Sequence, residues 1–166
     1  MTCPPCIPLI DRRRIVLGAL LLAGPGVAVA RPCAPPSVLF VCPAGTVKSA
    51  IARETLRARA ARAGVAVDVR SRGLHIEDHV SPGLAAALAA DGVNPAAEAA
   101  RPLQDADLER ADIVIVFDEA AQAPRLRQAR VWNVPSWNSD YAAARAALAT
   151  QVEALITELR DRTARC

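Results

Sequence analysis

The chain has 166 residues, 52% of them hydrophobic but only 3% aromatic, and a formal charge of +3. One compact domain fits this length, with a core of Leu, Val, Ile and packed Ala that suits helices on a small sheet. Three arginines and one aspartate lie before residue 31, which leaves +1 for the remainder, so the charge balance offers no surface for nucleic acid.

Residues 1–30 read as a leader. Asp11, Arg12, Arg13 and Arg14 precede an apolar run over 15–23, then Gly24-Pro25-Gly26 and the small-residue end Val27-Ala28-Val29-Ala30. A basic start, an apolar centre and a small-x-small end predict a signal peptide cleaved before Arg31. The run falls short of the about 20 apolar residues that cross a bilayer, and Gly and Pro break a spanning helix, so no stable membrane insertion is expected. The predicted location is outside the cytoplasm, periplasmic or secreted. The arginine pair resembles a twin-arginine signal, with Asp11 in place of the usual Ser or Thr, and the export route stays open. Cys3 and Cys6 would leave with the leader.

Residues 31–36 are a proline-rich lead-in to a domain over 37–166. Ser37-Val38-Leu39-Phe40-Val41 is a short continuous apolar run, the pattern of a buried parallel strand. Residues 42–48 form a loop, and 49–62 a helix with Ile51, Leu56 and Ala60 inward and Arg53, Arg57 and Arg59 outward, ended by Gly64. Residues 65–69 predict the second strand. Ser81 and Pro82 open a helix over 83–90, where the missing proline N–H costs little, and Asp91-Gly92 stops it. A helical turn at 106–110 leads to a buried strand over 113–117. A helix over 119–128, made irregular by Pro124, precedes a fourth strand at 131–134. The last helix spans 140–163, with Leu148, Val152, Leu155, Ile156 and Leu159 on its apolar face. This alternation predicts an α/β fold: a four-stranded parallel sheet, doubly wound, with helices on both faces.

In such sheets ligands bind beyond the C-terminal strand ends. The loop Cys42-Pro43-Ala44-Gly45-Thr46-Val47-Lys48-Ser49 sits there, between the first strand and the first helix. Successive N–H groups at a helix N-terminus make a cradle for an anion, and the same positive end favours a thiolate able to attack an oxyanion's central atom.

The run V-L-F-V-C-P-A-G-T-V-K-S-A resembles the signature of the low-molecular-weight protein tyrosine phosphatase family, a cysteine followed after five residues by Arg-Ser. Ser71-Arg72-Gly73 resembles the family's S-A-G, residues 111–118 its A-D-L-I-L-V-M-D, and Val134-Pro135 the V-P before its catalytic D-P. The similarity runs over about residues 37–160. It implies Cys42 as nucleophile, Ser49 as the thiolate's hydrogen-bond partner, and Pro43, Ala44, Gly45, Thr46, Val47 and Lys48 around the phosphate. It implies a phosphorylated protein or small oxyanion as partner, a monomeric chain, and neither metal nor cofactor.

The departures bear on turnover. Lys48 stands where the family has an arginine; it keeps the charge and loses the fork. It is the one lysine among 20 basic residues. Ala44-Gly45 replaces a Gly-Asn that braces the loop. Ser136 replaces the aspartate that protonates the leaving group, and Trp137 its proline, which leaves Asp140 as a candidate substitute acid. Three functions follow: phosphomonoester hydrolysis with impaired activity, a non-enzymatic oxyanion-binding module, and arsenate reduction. The last lacks relay thiols, because no cysteine lies between Cys42 and Cys166.

After leader cleavage Cys33, Cys42 and Cys166 remain. Cys33 and Cys42 flank opposite ends of an extended strand, too far apart for the roughly 4.4–6.8 Å span of a disulfide. The last helix returns Cys166 to the end where Cys33 lies, so a Cys33–Cys166 bridge with Cys42 free is expected. The leader has its own check: protein recovered outside the cytoplasm has an intact mass beginning at Arg31, and a chain retained inside from Met1 contradicts it.

Overall fold

The computed structural model describes residues 34–165. The leader, Cys33 and Cys166, and with them the expected bridge, lie outside the described residues. The first strand, β1 (Ser37–Cys42), is buried at every position. It can be so because it has a parallel neighbour on each side: β2 (Asp68–Gly73) and β3 (Ile113–Val116), with a short β4 (Arg130–Val131) beyond β3. A strand covered on both faces has no solvent side to keep polar.

Alternate β1 side chains serve two cores. Val38 and Phe40 pack with Ile51 and Leu56 of α1 (Lys48–Arg62) and with Leu148, Val152 and Leu155 of α4 (Tyr141–Ala164). On this face Phe40, Phe117 and Trp132 form an aromatic group with centroids 5.5, 6.1 and 6.2 Å apart. Leu39 and Val41 point the other way, to Leu103, Val116, Ala120 and Leu126. The four-stranded parallel α/β fold expected from the sequence is the fold observed.

Several elements differ from the sequence reading. The second strand starts at Asp68 rather than at residue 65, paired from Ser37↔Asp68 to Cys42↔Gly73. An apolar run is the wrong signal for this edge strand. Val69, Ser71 and Gly73 are buried, and the intervening arginines find carboxylates instead of water. Arg72 donates to both oxygens of Asp107 at 2.9 and 2.7 Å. Burial pushes the Asp107 carboxyl up, but the bonds from Arg72 and the Gln104 amide, with the Arg72 and Arg70 charges, hold it below the usual carboxylate range.

The segment read as a helix over 119–128 is two 3₁₀ turns, Asp118–Gln122 and Pro124–Leu126, because proline cannot continue the ladder between them. The fourth strand is only two residues long. Arg53, expected to face solvent, is 1% exposed. Its guanidinium donates to Ser71 Oγ at 2.7 Å and the Pro95 carbonyl at 2.9 Å, and so ties α1 to the edge strand. The remaining helices match the reading closely: α2 (Pro82–Ala90), N-capped by Ser81, whose side chain accepts from the Leu84 N–H at 3.2 Å, and α3 (Asp105–Glu109).

The sheet brings the C-terminal ends of β1, β2 and β3 to one edge, beside the start of α1. There Gly73 approaches the loop so closely that a Cβ on it would lie 2.8 Å from Gly45 N and 2.9 Å from Ala44 C. Those neighbours are backbone and cannot swing aside. Gly73→Ala is therefore expected to cost about 1–3 kcal/mol of stability, as overpacking does, and to weaken oxyanion binding. Denaturant unfolding and phosphate titration of the variant check both.

Candidate active site

Cys42 ends β1 and is 3% exposed. Its Sγ lies 3.0 Å from the Ser49 hydroxyl, and the Gly45 N–H donates to it at 3.2 Å. Ser49 is itself fully buried in the first turn of α1. The sulfur thus meets a hydroxyl, an amide and the N-terminus of α1.

The loop's shape comes from where its carbonyls go. The Pro43 carbonyl accepts from the N–H groups of Leu74 and His75, both at 2.9 Å, and the Ala44 carbonyl from Glu77 N–H at 3.3 Å. The Thr46 hydroxyl donates to the Glu77 carbonyl at 2.7 Å and accepts from His79 N–H at 3.3 Å. Carbonyls bonded to the segment after β2 leave the loop amides for other acceptors, and the Gly45 N–H is turned onto Cys42 Sγ. Among the described residues the N–H groups of Ala44, Thr46, Val47 and Lys48 have no acceptor. Gly45 permits the turn with φ +77°, a conformation that costs other residues strain. Pro43 brings no N–H to the cradle.

Lys48 is 14% exposed and turned across the cleft, where its ammonium donates to Asp118 Oδ1 at 2.5 Å and to the Val134 carbonyl at 2.6 Å. Asp118 follows β3 with φ +53°, in the left-handed region. Among the described residues it is the one non-glycine residue with positive φ. Such strain costs about 1–3 kcal/mol and persists where its surroundings hold it.

Cys42, Lys48, Asp118, Ser136 and Trp137 line a cavity of about 210 Å³. Trp137 is 4% exposed and packs edge-on against Tyr141 at 5.5 Å. Burial and the hydrogen bond to Asp91 push the Tyr141 hydroxyl up to about 12. Of the site residues predicted from the sequence, Cys42, Pro43, Ala44, Val47 and Lys48 line this cavity; Gly45 and Thr46 line a separate one, and Ser49 is buried against Cys42. Asp140 does not join them. It caps α4, its Oδ1 accepting from Ala143 N–H at 3.0 Å. His79 and Asn138, which no motif marked as loop partners, do line the cavity. The signal for His79 was positional: it follows the C-terminal end of β2, which a parallel sheet sets beside the loop after β1.

Among curated proteins none matches the chain significantly in sequence. Solved structures do resemble it. YfkJ from Bacillus subtilis superposes with a TM-score of 0.64 at 20% identity, over 78% of this chain and 98% of that one. A low molecular weight protein tyrosine phosphatase from Bacillus subtilis gives 0.55 at 20% identity, over 78% and 97%. An arsenate reductase in the phosphate binding state gives 0.61 at 20% identity, over 75% and 98%. At these identities the likeness shows the fold alone. The sequence itself carries the assignment further: residues 37–153 match the low molecular weight phosphotyrosine protein phosphatase family, and the chain belongs to that family.

Proposed function

We propose that the chain hydrolyses phosphomonoesters through a phosphocysteine at Cys42, with low turnover. The observation that carries this reading is the Cys42 sulfur, 3.0 Å from Ser49 Oγ and 3.2 Å from Gly45 N at the base of a loop with inward amides. The thiolate attacks phosphorus, the S–P bond forms and the ester P–O bond breaks. Water then attacks phosphorus and displaces the thiolate. The inward N–H groups and the α1 N-terminus hold the phosphoryl oxygens throughout.

Two features favour slow chemistry. Ser136 offers a hydroxyl in place of the family's carboxylic acid, so the about 10²–10⁴-fold that a positioned acid typically contributes has to come from another group. Lys48 already spends its charge on Asp118 and Val134. That pairing also favours a second reading, an oxyanion-binding module without turnover. Arsenate reduction is disfavoured by the lack of a cysteine between Cys42 and Cys166. The pattern over residues 11–30 supports a site of action outside the cytoplasm.

Rapid quench of the protein with p-nitrophenyl phosphate, followed by peptide mapping, is expected to find one phosphoryl group on Cys42. Cys42→Ser abolishes release of p-nitrophenol while still binding phosphate. Phosphate bound without any phosphocysteine establishes the binding module instead.

The ion pair has its own test. Asp118→Asn frees Lys48 for the anion and removes a negative charge from the cleft. Inorganic phosphate is expected to bind about 3–10-fold tighter by calorimetry, the scale of a partly exposed charge pair. Weaker binding would mean that Asp118 positions Lys48 rather than competing for it.

A further inference from the structure

We infer that His79, held by Glu77, is the proton donor to the leaving group, the part that Ser136 cannot play; this rests on the phosphocysteine reading above. His79 lines the same cavity of about 210 Å³ as Cys42 and Ser136. Its Nε2 lies 2.8 Å from Glu77 Oε2, while among the described residues Nδ1 has no partner. Glu77 engages one ring nitrogen and leaves the other without a protein partner, so that it can meet a group bound in the cavity.

The segment is fixed relative to the phosphate cradle. His79 N–H donates to Thr46 Oγ1 at 3.3 Å, Thr46 donates to the Glu77 carbonyl at 2.7 Å, and the His79 carbonyl accepts from Asn138 Nδ2 at 3.1 Å. One face of the segment is therefore tied to the loop and the other to the turn that carries Ser136.

The other candidates are engaged. Asp118 holds Lys48, and Asp140 caps α4. The other charged or titratable groups that line the cavity are Cys42 and Lys48 from the loop and Asp118 after β3; His75, Glu77 and Asp78 lie on the segment of His79 itself, and the stretch 133–139 has none. Beside them, the imidazole is the side chain able both to give a proton and to take one back. In the first step His79 gives its proton to the departing ester oxygen as the P–O bond breaks and the S–P bond forms. In the second, neutral His79 takes a proton from the water that attacks phosphorus, the new P–O bond forms, and the S–P bond breaks to return the Cys42 thiolate.

The test compares kcat/KM for phenyl phosphate, whose leaving group needs a proton, with that for p-nitrophenyl phosphate, whose leaving group needs it far less. His79→Gln is expected to widen the ratio between the two substrates by about 10²-fold, the lower end of a general acid's contribution. The fall in phenyl phosphate turnover as pH rises should vanish in the same variant. Glu77→Gln, which keeps an acceptor for the same ring nitrogen, is expected to hold the substrate ratio close to that of the parent. A His79→Gln ratio and alkaline limb like those of the parent overturn the role of His79 and leave the phosphocysteine reading standing. Failure of the parent to form phosphocysteine from either substrate overturns both.

Discussion

The hydrogen bonds that run from the N–H groups of Leu74, His75 and Glu77 to the carbonyls of Pro43 and Ala44 govern the rest of the site. They pin the loop to the segment after β2 and leave its amides unclaimed beside Cys42, whose sulfur the Gly45 N–H meets. That contact is possible because Gly73 and Gly45 meet with no side chain between them. The cradle is thus a product of the sheet: β1 and β2 pair in register up to Cys42↔Gly73, and the two segments leave the sheet side by side. Arg53 secures the arrangement from behind, since its buried guanidinium links α1 to Ser71 of the same strand.

Charge is the second constraint. A cradle of backbone amides works without regard to which basic residue follows it, but catalysis depends on how that residue meets the transferring group. An arginine can fork onto two oxygens, whereas an ammonium offers a point charge that is easily diverted. Here Asp118 and the Val134 carbonyl take it up. The backbone of Asp118 is held in the left-handed region to do so. On the proposed function, the site joins a nucleophile at Cys42 to a basic group that Asp118 already engages, the combination expected of slow hydrolysis.

Much of this was legible in the sequence where a local pattern coincides with a structural requirement. The apolar run of β1 could be read because a central strand is buried on both faces, and the loop could be read because its spacing leads from strand to helix. Residues 68–73 could not be read this way. Their arginines look like surface residues until Asp107, 35 positions from Arg72, supplies the partner. Arg53 misled for the same reason: besides its neighbour Glu54, its acceptors are Ser71 and the Pro95 carbonyl, distant along the chain. Asp140 looked placed to act as an acid by its distance along the chain from Ser136, yet it sits where a helix needs a cap, and the cap takes the side chain. His79 has no motif around it; only the register of β2 against β1 brings it to the cleft.

The central claim is that inward amides, with Cys42 beneath them, form an oxyanion site. A crystal structure of the protein with orthovanadate tests it most directly. Vanadium bonded to Cys42 Sγ, with its oxygens on the N–H groups of Ala44, Thr46, Val47 and Lys48, is the predicted result. Vanadate absent from the loop at saturating concentration, or bound elsewhere with Cys42 untouched, would contradict it.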